Sequence, residues 1–331
     1  MMQMVSRRRF ITISAATAGF ALSPLSPATT SDAEIVVWRG TMLGATATMK
    51  IHHSVRAEAE RLISVACAEA RRLEGLFSLY RSDSTLVELN RTGVLVDPAA
   101  ELVDLLAISK RYARLTGGMF DPTVQPLWEL YADHFSKTDA DPSGPSQAAV
   151  ETALARVGWD RLSVSRDRIA MPRGTRITLN GIAQGYVTDK VVELLRSQGI
   201  TQSLVDMGET RAIGARPDGQ PWEVGVADPE IVGQMQATLP IIDRAVSTSG
   251  AYGFRFDPTG RFNHLFNPAT GACAHLYKSV TTVARSATAA DALSTALSLM
   301  SEPRIRSLLP QLEIERVHLI DTAGVVSELV A

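Results

Sequence analysis

The chain has 331 residues, 45% of them hydrophobic and 21% charged, with 33 Lys and Arg against 35 Asp and Glu for a formal net charge of −2. This is ordinary for a globular protein with a sizeable core, and the lack of a basic stripe argues against a nucleic-acid partner. Cys67 and Cys273 are the only cysteines. Neither sits in a CxxC pair or a Cys/His cluster, so zinc and dithiol redox motifs are excluded and both read as buried or half-buried free thiols.

In chain order, Ser6-Arg7-Arg8-Arg9-Phe10-Ile11 precedes a mildly apolar run from Ile11 to Leu25. The run is too short and too polar to span a bilayer. A twin arginine before such a run reads as a twin-arginine export signal over residues 1–30, cleaved between Pro27 and Ala33. No cysteine follows it, which argues against a lipoprotein anchor. The expectation is a periplasmic protein that does not span the membrane, with roughly 300 residues left to fold.

Glu34–Trp38 and Ala45–His52 alternate like strands, joined around Gly40 and Gly44. Arg56–Phe77 carries Ala59, Leu62, Ile63, Ala66, Ala70, Leu73 and Phe77 on one helical stripe. Pro98–Leu115 predicts a second helix, closed by Gly117-Gly118. A Pro/Gly-rich loop over 139–146 ends at Ser146, which caps a short helix running to Val157. Strands are predicted at Leu162–Val164, Arg168–Met171 and Thr175–Leu179. They lead into a helix over Ile182–Gln198 that Gly199 stops. Ser203–Met207, Arg211–Ala215, Trp222–Ala227 and Thr238–Ile242 are short and β-like. A helix bearing Asp291, a small helix near Pro303–Leu309, and strands at Val317–Ile320 and Gly324–Leu329 complete the chain. There is no regular βαβ beat and no internal repeat, so the class is mixed α+β with largely antiparallel sheet.

The stretch Ser286-Ala-Thr-Ala-Ala-Asp291-Ala-Leu-Ser-Thr295 places a carboxylate and a hydroxyl one helical turn apart. Such a pair can direct two oxygens at one hard cation such as Mg²⁺, although it is more often a solvated carboxylate and a back-bonded hydroxyl. Thr178-Leu-Asn-Gly181-Ile-Ala-Gln184-Gly185-Tyr186 runs from strand through glycine into a helix, whose free first-turn amides suit an anion. It is neither a Walker loop nor GxGxxG. Val205-Asp206-Met207-Gly208-Glu209 sets a glycine between two carboxylates. Ala245–Tyr252 reads as a hydroxyl-rich turn suited to phosphate or ribose oxygens. His264, before Asn267-Pro268, is a lone histidine that can serve as a base or phosphate donor. Tyr80 and Phe120 can line a flat pocket for a ring system, though aromatics so spaced are more often core.

Taken in order, these segments resemble the ApbE family, the FAD:protein FMN transferases. The likeness runs from Gly40-Thr-Met-Leu-Gly44 through Ser78–Asn90, Met119-Phe-Asp121, Gly181–Tyr186, Ser247–Gly250 and His264-Leu-Phe-Asn-Pro to Ala290-Asp-Ala-Leu-Ser-Thr295. It implies an ApbE-like, T-fold-like α+β domain over 34–331, with two subdomains around an FAD cleft. It also implies Mg²⁺-dependent transfer of FMN from FAD to a Thr or Ser hydroxyl of a client flavoprotein, with release of AMP. By position, Asp291, Thr295 and the carbonyl of Gly181 are the implied metal ligands. Leu43 (or its neighbour Met42), Tyr80, Met119, Phe120, Asp121, Thr178, Gln184 and Leu265 are the implied FAD contacts. His264 and Asp291 are the implied catalytic residues.

Three positions depart from the family pattern. Thr178 stands where Asp is common, Gln184 where Lys is common, and Asn180 where Gly is common. The wording around Gly181, joined to the twin-arginine leader, is similar to the NosX branch. That likeness implies a membrane flavoprotein of nitrous-oxide respiration as client. Two other readings compete: a non-catalytic periplasmic protein that binds and delivers FAD, and an FAD pyrophosphatase that releases FMN and AMP.

Overall fold

The computed structural model describes residues 34–331, apart from Val232. The proposed leader lies outside the described residues. In chain order the elements are β1 (Glu34–Met42), β2 (Ala45–His53), α1 (Arg56–Phe77), α2 (Thr85–Thr92), β3 (Val94–Val96), α3 (Ala100–Leu115), α4 (Gln125–Phe135) and α5 (Gln147–Leu154). There follow β4 (Ser163–Val164), β5 (Arg168–Ala170), α6 (Ala183–Ser197), β6 (Ser203–Asp206), β7 (Thr210–Ile213), β8 (Trp222–Ala227) and β9 (Met235–Ile241). The last are β10 (Ala245–Ser249), β11 (Tyr277–Ala284), α7 (Ala287–Leu297), α8 (Glu302–Leu308), β12 (Ile314–Asp321) and β13 (Val326–Val330).

Eight strands form one sheet in the order β1-β2-β6-β7-β10-β11-β12-β13, and every pairing in it is antiparallel. Both of its faces are covered. Successive side chains on a strand point to opposite sides. Val205, Ile213, Ala245 and Ala284 thus join the main core beneath α1, α6 and α7, while their neighbours Leu204, Ala212, Val246 and Val283 pack against the β8–β9 hairpin. This two-sided burial explains why the central strands lack a clean polar alternation.

The helices on the core face follow from spacing and residue size. In α1 the apolar stripe is buried as the periodicity predicts, and Cys67 lies on it. Phe77 meets Tyr186 of α6 edge-on at 5.6 Å between ring centres. α7 is buried almost all round and is built largely of Ala, so neighbouring backbones can come close. α6 does so at Gly185, where an added Cβ would sit 2.3 Å from the carbonyl oxygen of Ala287. A separate aromatic cluster joins α4 and α5 to the 254–266 loops, with Tyr131 5.0 Å from Phe266 and 5.7 Å from Phe262.

Several expectations need correction. Thr175–Leu179 is not a strand and pairs with none among the described residues. Its backbone is satisfied by other groups: Asn90 bonds both the N–H and the C=O of Ile177 (2.7 and 2.8 Å), and Thr178 N–H reaches the carbonyl of Pro122 (2.8 Å). Ala245–Tyr252 is not a turn but strand β10 followed by a single 3₁₀ turn. β11 and the helices α2 and α4 lie where no regular element was predicted. Gly40 lies inside β1, where the Trp38 ring would collide with a Cβ, and the β1–β2 turn is made by Leu43-Gly44. Among the described residues no helix is long and apolar enough to cross a membrane.

Candidate active site

The first turn of α6 leaves N–H groups without helical partners. One of them, Gly185 N–H, points at Asp291 of α7, 3.0 Å from Oδ2. The anion that the sequence led one to expect at this helix start is therefore the protein's own carboxylate. Asp291 is only 4% exposed. Asp189 sets its helix in place. That buried carboxylate accepts from the N–H groups of Ala287 and Thr288 at 2.8 and 2.9 Å, from the Thr288 hydroxyl at 2.5 Å, and pairs with Arg211.

One turn beyond Asp291, Thr295 faces Gly181, where an added Cβ would lie 3.0 Å from Thr295 Oγ1. Ser249 Oγ is 3.2 Å from Thr295 Oγ1 and 2.8 Å from Ser294 Oγ, so the end of β10 supports the same spot. The three residues implied as metal ligands thus come together on the floor of one cleft. Glu209, from the β6–β7 turn, lines it too and is 9% exposed. Burial pushes the Asp291 carboxyl up to about 7, and burial together with the Asp291 charge drives Glu209 well above the usual carboxylate range. Among the described residues no Lys or Arg lines the cleft. Two buried carboxylates and a hydroxyl in the lining, with no cation of the described residues beside them, form an oxygen donor set that fits a hard cation.

The cleft is open to solvent. Its walls carry Tyr80, Met119, Phe120, Asp121, Thr178, Gln184, His264 and Leu265. Tyr80 stands 47% exposed at the rim, and its hydroxyl accepts from Asn180 Nδ2 at 3.0 Å. Gln184 lies over Gly208, whose φ of +108 brings the backbone so close that an added Cβ would be 2.6 Å from the Gln184 amide carbon.

Asp121 has a structural task as well. It accepts from Thr123 N–H and Oγ1 at 2.7 and 2.6 Å and from Trp159 N–H at 3.2 Å. His264 is half-buried, and its Nδ1 faces the carbonyl of Phe254 at 3.2 Å. A carbonyl only accepts, so Nδ1 carries the proton and Nε2 is left as an acceptor. Burial pulls this imidazole down to about 4, so it is neutral near pH 7.

The structure does not bring Leu43 to the cleft. Leu43 holds a left-handed φ of +51 at the β1–β2 turn and packs on the main core, and Met42 is buried beside it. Sequence reasoning gave no role to Glu209, Trp128 or Phe254, all of which line the cleft, as does Tyr252. Glu209 did carry a signal, the Asp-Met-Gly-Glu turn, but nothing local distinguishes it from an exposed hairpin tip.

A sequence profile described as the ApbE family matches residues 43–318. The chain belongs to the ApbE family. It is 28% identical over 300 residues to an FAD:protein FMN transferase of Klebsiella pneumoniae, covering 87% of this chain and 83% of that protein. It is 31% identical over 236 residues to the FAD:protein FMN transferase of Vibrio cholerae, covering 69% and 70%. Among solved ApbE structures, the apo flavinyl transferase of Pseudomonas stutzeri superposes with a TM-score of 0.76 at 27% identity, over 89% of this chain and 95% of that one. The ApbE protein of Thermotoga maritima superposes with a TM-score of 0.78 at 27% identity, over 89% and 96%.

Proposed function

We propose that this ApbE-family chain is an FAD:protein FMN transferase that depends on Mg²⁺. One observation carries the reading: the Gly185 amide, Asp291, Thr295 and Gly181 meet at the floor of a cleft whose rim is aromatic. With a cation on the floor, a diphosphate would sit there and a flavin ring against the walls. Tyr80, Met119 and Phe120 offer flat apolar surface to the ring, while Thr178, Asn180 and Gln184 offer hydrogen bonds.

In the reaction the acceptor hydroxyl attacks the phosphorus on the FMN side of FAD. The bridging P–O bond breaks, AMP leaves with the bonding pair, and FMN remains as a phosphoester on Thr or Ser. Asp291, Thr295 and the Gly181 carbonyl would hold the cation, which acts as a Lewis acid on the phosphates and offsets the charge of the leaving group. His264 Nε2 is an acceptor for the hydroxyl proton. Burial lowers its basicity, and a diphosphate beside it would raise it again by stabilising the imidazolium. The site is mainly one of positioning and electrostatics, as phosphoryl-type transfers require.

The reading extends, on the twin-arginine motif of the leader, to export into the periplasm, with a membrane flavoprotein that carries a periplasmic FMN domain, of the nitrous-oxide respiration type, as the proposed client. The test is mass spectrometry of a candidate client domain after incubation with the protein, FAD and Mg²⁺, with and without EDTA. Metal-dependent gain of one FMN on a Thr or Ser is the expected result. Unchanged FAD with no labelling would support a carrier, and FMN plus AMP without labelling would support a pyrophosphatase.

A further inference from the structure

We propose that Glu209 supplies a second carboxylate to the cation centre, so that the ion is held by Glu209 and Asp291 together. This rests on the reading of the cleft as a Mg²⁺ site. Three observations carry it.

The first is placement. β6 and β7 end at the Asp206–Thr210 pair, leaving Met207, Gly208 and Glu209 as the hairpin tip. The tip is fixed rather than loose. The Glu209 carbonyl accepts from Thr188 Oγ1 of α6 at 3.0 Å, and Gly208 N–H bonds Asp206 Oδ1 at 3.0 Å. α6 therefore holds both carboxylates: Asp291 through the Gly185 amide in its first turn, and the Glu209 backbone through Thr188 one turn later.

The second is the absence of a counter-charge. Among the described residues Glu209 forms no ion pair and neither Lys nor Arg lines the cleft. Ser247 hydrogen-bonds the carboxylate. That bond satisfies only part of a group with about four acceptor sites. A buried carboxylate is costly unless a cation or further donors meet it.

The third is the chemistry of the donor set. Mg²⁺ is usually held by one or two carboxylates together with substrate phosphates. With Asp291 alone the protein contributes one negative charge; with Glu209 it contributes two, which balance the divalent ion before any nucleotide binds. The centre is then charged to take the cation first and the diphosphate after it.

The experiment uses protein stripped with EDTA and two probes alone, Mn²⁺ followed by electron paramagnetic resonance and Mg²⁺ followed by the rise in melting temperature. Glu209→Gln is expected to weaken Mn²⁺ binding by about tenfold or more and to remove most of the Mg²⁺-induced rise. In EDTA at pH 8 the same variant should melt at or above the wild type, because a buried charge is gone. A merely structural glutamate would do the reverse, lowering the melting point in EDTA and leaving Mn²⁺ affinity unchanged. Should Glu209→Gln fail to fold, Glu209→Asp keeps the charge but withdraws it by one methylene, and is expected to weaken Mn²⁺ binding as well. Wild-type affinity in the Glu209 variants, with loss in Asp291→Asn, overturns the Glu209 assignment and leaves the functional reading standing. No Mn²⁺ binding by the wild type overturns both.

Discussion

The backbone N–H of Gly185 and the carboxylate of Asp291 lie 3.0 Å apart although 106 residues separate them. The contact fixes both ends of the site, because Gly185 opens α6 and Asp291 projects from α7. It depends on how closely the two helices approach. An alanine at 185 would place its Cβ 2.3 Å from the Ala287 carbonyl oxygen and 2.9 Å from Asp291 Cβ. Gly185→Ala is therefore expected to force α6 and α7 apart, at a cost of roughly 1–3 kcal/mol. Denaturant melts would measure this, and unchanged stability would show that the helices separate without strain.

Asp291→Ala should abolish metal-dependent FMN transfer while leaving the fold largely intact. The side chain is buried, and among the described residues no Lys or Arg pairs with it, so removing it relieves a cost as it opens a small space. Circular dichroism and client labelling give the two readouts. Full activity with Mg²⁺ in this variant would mean that the metal assignment is wrong.

Much of this site was legible in the sequence, for reasons that differ between elements. α1 was readable to its ends because its stripe Ala59, Leu62, Ile63, Ala66, Ala70, Leu73, Phe77 is strictly helical. Asp291 and Thr295 were readable because a single turn of helix fixes their relation. Thr175–Leu179 looked like a strand since its side chains alternate, but its hydrogen bonds go to Asn90 and Pro122, partners that no local pattern reveals. Glu209 was hidden for the same reason. Its burial comes from α6 and β10, distant in sequence, and not from the four residues around it. Leu43 shows the opposite limit, a position carried over by resemblance that the fold keeps on the core side of a turn.

Gly208→Ala should weaken FAD binding more than it weakens the fold. At φ +108 a side chain is strained, and its Cβ would strike the Gln184 amide, whose flexible end can swing away. The strain is of order 1–3 kcal/mol, while the displaced Gln184 is forced into the cleft where flavin would sit. Titrating FAD fluorescence would show this as a higher dissociation constant. An unchanged constant would mean that Gln184 does not contact the nucleotide.

The pH dependence of stability should reverse with metal. In the folded protein Asp291 is raised to about 7 and Asp206 to about 6 from an ordinary 3.8, and Glu209 is raised in the same direction. Each binds its proton more tightly folded than unfolded, so its contribution is fully present below its unfolded value and is lost as pH rises through its folded value. His264 works the other way. Lowered from 6.5 to about 4, it contributes stability above 6.5 that is lost as pH falls towards 4. The opposing slopes offset each other between about pH 4 and 6.5, and above that only the carboxylates remain. Metal-stripped protein should therefore melt lower at pH 8 than at pH 6. Mg²⁺ binds the ionised carboxylates and so should restore the loss at pH 8 while adding little at pH 5, where protons compete for the same oxygens. Melting temperatures across pH 4–9, with Mg²⁺ and with EDTA, test both halves. Equal protection by Mg²⁺ at pH 5 and pH 8 would remove these carboxylates from the metal site.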